Sequence, residues 1–318
     1  GVDMRFKERR FGEAEQGERS LWISLHGGGG APPAVNDRQW ENQIRLYEPQ
    51  EGFYVAPRAP TDTWNLWHQS HIDPLFDELI KAYVLGRGVD PNRVYLIGYS
   101  AGGDGVYQLA PRMADRFAAA AMMAGHPNET KPLGLRNLPF AVLMGADVAA
   151  FDRNTVAKRW SEELAALQAA DPKGYPHVIK IYKGLGHWME GRDAEILPWL
   201  SSHVRDPWPS RIVWHQDDVT HNRFYWLSVE EQVARSSVAA VVRGQVIDIE
   251  TTDLVSLTLR LKDTLIDLDL PIVVNVNGQE AFHGVVARTL AAIEESLEGR
   301  LDQASCATAL LHLDWGEP

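Results

Sequence analysis

Cysteine is nearly missing from this sequence. Of 318 residues only Cys306 is a cysteine, so no internal disulfide can brace the chain. That residue reads as a small buried hydrophobe and carries no information on redox compartment. Also missing is any apolar run near the roughly 20 residues that span a bilayer, so no segment is a candidate transmembrane helix. Basic residues are in the minority. Lys and Arg number 31 against 43 Asp and Glu, a formal net charge of −12. Nucleic acids and anionic membrane surfaces select for clustered positive charge, so neither is an expected partner. No internal repeat and no low-complexity segment occurs. The first residue is Gly1 rather than Met, which is compatible with a leader removed upstream, and the compartment stays open.

What is present, up to about residue 205, is an alternation of short apolar runs with longer amphipathic ones. The runs are Leu21 to Leu25, Phe53 to Ala56, Val94 to Gly98, Phe117 to Ala124, Phe140 to Met144 and Val178 to Tyr182. Helical patterns lie over Pro74 to Leu85, Ala101 to Met113, Thr155 to Ala170 and Ala194 to His203. This rhythm predicts an α/β domain, a mostly parallel sheet flanked by helices. Met4 to Phe11 reads as an edge strand, and Asp90-Pro91-Asn92 as a loop into the third run.

The character changes at Asp206-Pro207-Trp208-Pro209, a linker by its two prolines. Beyond it, residues 210–318 alternate with a period of two. Val255, Leu257, Leu259 and Leu261 are expected to face one way, with Ser256, Thr258 and Arg260 on the other. Ile266, Leu268 and Leu270 repeat the pattern, Asn277-Gly278 signals a tight hairpin, and one helix presents Leu290, Ile293 and Leu297 on a face. The expectation is an α/β domain over 1–205 and a small β-sandwich-like accessory domain over 210–318.

Chemistry gathers where runs end. Gly98-Tyr99-Ser100-Ala101-Gly102 follows the run Val94 to Ile97 and opens a helical pattern. Strand, Gly-x-Ser-x-Gly and helix in that order form the context of a nucleophile elbow, with small residues letting strand and helix approach. The helix start also favours a developing anion. His26-Gly27-Gly28-Gly29-Gly30 follows Leu21 to Leu25. The plain reading is a flexible loop, and a phosphate loop lacks its Gly-Lys-Ser/Thr. The functional reading is an oxyanion hole, with the amides of Gly28 and Ala101 as donors and Gly29 as helper.

The acid is expected after a later strand, where Asp147 closes Phe140 to Met144. Asp152 competes for the role but reads better as a helix N-cap. The base is expected last, at His187 in Gly184-Leu185-Gly186-His187-Trp188. His126 precedes the acid and is placed in the pocket instead. Ser100, Asp147 and His187 then follow the chain order Ser, Asp, His.

Residues from about 18 to 205 resemble the α/β-hydrolase superfamily, and within it the polyhydroxybutyrate-depolymerase-like and feruloyl-esterase-like group. The shared text is the His26–Gly30 loop, Asp90-Pro91-Asn92-Arg93-Val94-Tyr95 running into Gly98–Gly103, and Gly184–Trp188. The resemblance implies Ser100, Asp147 and His187 as triad, Gly28 and Ala101 as oxyanion donors, an ester substrate, small or polymer-linked, and no cofactor. The loop after Asp147 lacks the proline common in the family, and the resemblance does not reach residues 210–318.

Trp64, Trp67, Tyr99 and Trp188 flank the expected site and are read either as core or as an apolar acyl or aryl pocket. His68, His71 and Asp73, and again Asp217, Asp218 and His221, have ligand-like spacing. Neither group lies on a helix face that fixes geometry, so no metal is expected. Three other functions fit the scaffold: a serine peptidase, a non-catalytic binding protein, and an esterase carried to carbohydrate by its second domain. The aromatic stretch from Trp214 to Trp226 is either that domain's core or a surface that covers the site or holds a polymer.

Overall fold

The computed structural model describes residues 3–148 and 150–316, and the chain divides into two units, Gly1–Arg205 and Asp206–Pro318. In the first, seven strands form one sheet: β1 (Phe6–Phe11), β2 (Arg19–Leu25), β3 (Gly52–Pro57), β4 (Val89–Tyr99), β5 (Ala119–Met123), β6 (Phe140–Gly145) and β7 (His177–Tyr182). Their spatial order is β1-β3-β2-β4-β5-β6-β7. Every neighbouring pair is parallel except the edge pair β1–β3. Every residue of β3, β5 and β6 is buried, which is why these strands read as continuous apolar runs and do not alternate.

Among the described residues five α-helices accompany the sheet: α1 (Pro33–Gln43), α2 (Ile72–Arg87), α3 (Ala101–Arg112), α4 (Arg153–Ala170) and α5 (Leu197–Ser201). The first has no counterpart in the sequence reading, and its composition explains this. Its buried face is Asn36, Trp40 and Gln43, two amides and one aromatic, so no apolar stripe marks it. The segment read as a helix from Ala194 to His203 is a 3-10 turn, Arg192–Ile196, followed by the single turn of α5. Pro91 does not precede its strand; it lies inside β4. Arg19 pairs with Val89 and Leu21 with Val94, so β4 bulges there and the proline costs no ladder bond.

The topology positions the site. From β2 the chain steps to β3 on one side, then crosses to β4 on the other. The loops leaving β2 and β4 therefore diverge from adjacent strands, at the crevice where open α/β sheets bind ligands. Leu25 pairs with Gly98, which brings His26–Gly30 beside Ser100.

Among its described residues the second unit holds two sheets and one α-helix. One sheet comprises β8 (Arg211–His215), β11 (Ser237–Arg243), β12 (Val246–Thr252), β14 (Ile272–Val276) and β15 (Gln279–Gly284); the other comprises β9 (Arg223–Phe224), β10 (Leu227–Ser228), β13 (Ser256–Leu261) and β16 (Ala309–Asp314). Asn277-Gly278 turns β14 into β15 with both φ positive, 49° and 81°.

Arg260 of β13 is buried and donates to Glu295 and Ser296 of α6 (Leu290–Arg300). Two expectations fail in this unit. Ile266 to Leu270 form turns, because the Asp263 and Asp267 carboxylates accept the Leu268 and Asp269 N–H groups and compete with a ladder. α6 buries Ala292 and Ser296, while Leu290 is exposed. Trp214 stacks on Phe224, centroids 5.7 Å apart, and Trp226 donates to the Pro209 carbonyl, so these aromatics pack within their own unit.

Candidate active site

The turn between β4 and α3 places Ser100 at φ 58°, ψ −122°, a strained conformation for a residue with a side chain. Its N–H donates to the Met123 carbonyl (2.8 Å), which fixes the turn to β5. Close approach explains the flanking glycines. A Cβ on Gly102 would lie 2.1 Å from the Leu25 carbonyl oxygen, and one on Gly98 would lie 2.2 Å from that of Gly102. The serine hydroxyl is thereby lifted clear of the sheet.

His187 stands on the loop after β7, with Nε2 2.9 Å from Ser100 Oγ. Three contacts hold that loop. The Tyr99 hydroxyl donates to the His187 carbonyl (2.6 Å) and accepts from Met189 N–H (3.1 Å). Downstream, the Tyr47 hydroxyl donates to buried Asp193 (2.5 Å), fixing the turn that follows. The imidazole is open to solvent at the mouth and crowded by protein behind. That partial burial, and then the Arg153 guanidinium, hold its pKa below the ordinary value.

Asp147 lies at the carboxyl end of β6, with its side chain exposed. Its backbone is tied to the His187 loop: Asp147 N–H donates to the Leu185 carbonyl (3.0 Å) and Ala146 N–H to that of Tyr182 (2.9 Å). Its carboxylate forms no hydrogen bond with His187 among the described residues. Asp152 occupies the N-cap position of α4 in a left-handed conformation, and its side chain makes no capping bond.

The loop after β2 is fastened by a polar network. Asn36 on α1 accepts Gly29 N–H (2.9 Å) and donates to the Ala31 carbonyl (3.2 Å) and to Asp62 (2.8 Å). Arg58 in turn donates to Asp37 (2.8 Å) and to Asp62. Gly28 has φ 107°, and a Cβ there would sit 2.2 Å from Asn36 Oδ1, so only glycine fits. The amides of Gly28 and Ala101 have no acceptor among the described residues. Gly29 does not serve as a further donor, since Asn36 already takes its N–H.

His26 is fully buried, and burial holds its pKa down at about 4. The neutral ring suits its contacts: Nε2 accepts Ala59 N–H (3.1 Å), and Nδ1 lies 2.6 Å from the Gly27 carbonyl it donates to.

Two clefts meet at Ser100 and His187. One, of about 610 Å³, is lined by Gly28, Gln39, Arg45, Tyr99 and Trp188. The other, of about 470 Å³, is lined by Trp64, Ala101, Asp104, His126, Phe151 and Arg153. Four of the five residues read as pocket candidates thus face a cleft. Trp67 does not. It is 0 % exposed, packs where a Cβ on Gly105 would collide with it, and donates to the His26 carbonyl (2.9 Å).

Burial pushes the Asp104 carboxyl up to about 6, against the pull of Arg153 and of His126 N–H, which it accepts at 2.6 Å. Asn36, Asp104 and Arg153 are absent from the sequence reading, because no local motif distinguishes them from ordinary helix residues. The two ligand-like clusters of the sequence have other uses: Asp73 pairs with Arg112 (2.5 Å) and Asp218 with Arg235 (2.5 Å). Among the described residues no three His, Cys, Asp or Glu side chains converge on a metal position.

No protein-family model matches the chain, and no curated protein sequence matches it. Solved structures do. A thermostable esterase superposes with a TM-score of 0.50 at 19% identity, over 64% of this chain and 60% of that one. This chain therefore spans about three-fifths of that esterase's length. A ferulic acid esterase gives 0.40 at 16%, over 63% of this chain and 98% of that one. The poly(3-hydroxybutyrate) depolymerase of Bordetella parapertussis gives 0.43 at 18%, over 61% and 87%. At such identities the first likeness speaks for the fold: a mixed sheet with flanking helices, as in α/β-hydrolases. No helix among the described residues is long and apolar enough to cross a membrane.

Proposed function

We propose that the N-terminal unit hydrolyses carboxylic esters by acyl transfer through Ser100. The observation that carries the reading is the 2.9 Å approach of His187 Nε2 to a serine hydroxyl on a positive-φ elbow. In the first step the Ser100 proton passes to His187 Nε2 while Oγ attacks the ester carbonyl. The negative charge on the carbonyl oxygen falls to the amides of Gly28 and Ala101, whose hydrogen-bonding capacity is uncommitted. Collapse breaks the bond to the leaving alcohol, which takes the proton from His187. Water, deprotonated by the same imidazole, then releases the acid and regenerates Ser100.

Asp147 is assigned as the orienting acid. Support comes from its place after β6, its position between serine and histidine in the chain, and the backbone bonds that join its turn to the His187 loop. The absence of a carboxylate–Nδ1 bond without substrate does not exclude this role, since catalytic hydrogen bonds are often long in the empty site.

Turnover of p-nitrophenyl butyrate tests the scheme. Ser100→Ala is expected to lose at least about 10⁴-fold in kcat, Asp147→Asn about 10³- to 10⁴-fold, and Asp152→Asn little. Unchanged hydrolysis by Ser100→Ala overturns the nucleophile, and full activity in Asp147→Asn overturns the acid.

A further inference from the structure

The 470 Å³ cleft beside Ser100 contains a cation whose hydrogen-bonding capacity is not used among the described residues. The Arg153 side chain is 11 % exposed and lines that cleft with Ser100 and His187. Among the described residues its guanidinium makes no hydrogen bond, and Nε is buried without a partner. Its one ion pair, to Asp104 Oδ2, is long at 3.9 Å, and the other Asp104 oxygen is committed to His126 N–H. Phe151 lies against its face, 4.8 Å from guanidinium carbon to ring centroid.

Three other buried arginines each hold a carboxylate at close range, although Arg112 Nε is likewise buried without a partner among the described residues. Arg112 meets Asp73 at 2.5 Å, Arg116 meets Asp77 at 2.6 Å and Arg136 meets Asp171 at 2.7 Å. A guanidinium is a rigid fork of five donors suited to a planar carboxylate, and burying it without that partner is costly. Asp104 at long range does not complete the fork. Nor does Asp104 exclude a second anion: Arg58 in the same unit holds Asp37 and Asp62 together.

We infer that Arg153 is a specificity-determining residue, whose guanidinium receives a carboxylate carried by the ester substrate. The substrate class is therefore acidic esters, with a carboxylate on either the acyl or the alcohol side. Trp64 and Phe151, both exposed in the same cleft, flank the apolar spacer between that carboxylate and the reacting carbonyl. The inference rests on the esterase reading above, and the test separates the two.

Two substrate pairs place a carboxylate against an isopropyl group of similar shape. Monoethyl succinate is compared with ethyl 4-methylpentanoate for the acyl side, and acetoxyacetate with isobutyl acetate for the alcohol side. At pH 8, where His187 is neutral with or without Arg153, the acidic-to-neutral ratio of kcat/KM is expected to fall about 10- to 100-fold in Arg153→Gln for one pair. The loss should appear chiefly in KM, and Arg153→Lys should retain part of the ratio. Unchanged ratios for both pairs overturn the assignment, while turnover of the neutral esters leaves the esterase reading standing. A binding arm needs no turnover. In the Ser100→Ala background, calorimetry should show the preference for monoethyl succinate over ethyl 4-methylpentanoate, or for acetoxyacetate over isobutyl acetate, reduced at least about tenfold by Arg153→Gln. Equal preferences with and without Arg153 overturn it whatever becomes of the catalytic scheme.

Discussion

Replacing Tyr99 by Phe removes a single oxygen and two hydrogen bonds at the root of the His187 loop. The hydroxyl donates to the His187 carbonyl at 2.6 Å and accepts from Met189 N–H at 3.1 Å. Both Tyr99 and Met189 are buried. Each bond contributes about 1 kcal/mol net, and a buried N–H left without an acceptor costs about 1–3 kcal/mol more. Together these predict a loss of about 3–5 kcal/mol, a large part of the roughly 5–15 kcal/mol that holds a domain folded.

Tyr107→Phe is the matched control. Its hydroxyl is fully buried and has no hydrogen-bond partner among the described residues, so its removal should cost under about 0.5 kcal/mol or be stabilising. Urea unfolding followed by tryptophan fluorescence, with m-values compared, measures both variants. Activity should separate them further. A shift of the His187 ring by about 1 Å costs up to about 100-fold, so Tyr99→Phe should lose about 10- to 100-fold in kcat and Tyr107→Phe almost nothing. Equal destabilisation by the two variants, or full activity in Tyr99→Phe, refutes the role given to the hydroxyl.

Two further predictions concern the loop after β2. Asn36→Ala leaves Gly29 N–H and the Ala31 carbonyl without their partner and should cost on the order of 3 kcal/mol; kcat should fall more than KM changes, as the Gly28 amide loses its support. His26, with a folded pKa of about 4 against 6.5 in the unfolded chain, binds fewer protons when folded. Its contribution is complete above pH 6.5 and is lost as pH falls toward 4, to a total of about 3 kcal/mol. Urea denaturation across that window should show a shallower pH slope for His26→Gln than for the wild-type protein, and identical slopes would contradict the assignment.

The candidate site was legible in the sequence where its logic is local. Ser100 and its glycines lie within one turn, and His187 and Asp147 each close an apolar run, so chain order and strand ends suffice to nominate them. Asn36, Asp104 and Arg153 escaped because their roles depend on partners from other elements: Asn36 works on Gly29 and Asp62, and Arg153 reaches the cleft from the start of α4. Trp67 shows the converse. Its type and position suit a pocket, yet contact with Gly105 of α3 turns it inward. In the second unit, period-two reading succeeded for Leu257, Leu259 and Leu261, all buried. It failed beyond Lys262, where aspartates bond the backbone and replace strand with turns.

Covalent labelling reads the reacting atom directly. A fluorophosphonate incubated with the wild-type chain, digested and mapped by mass spectrometry, should add one phosphonyl group, on the peptide containing Ser100. The adduct should be absent from Ser100→Ala and form at least about 100-fold more slowly in His187→Ala. An adduct on another residue, or labelling at an undiminished rate without His187, would contradict the account.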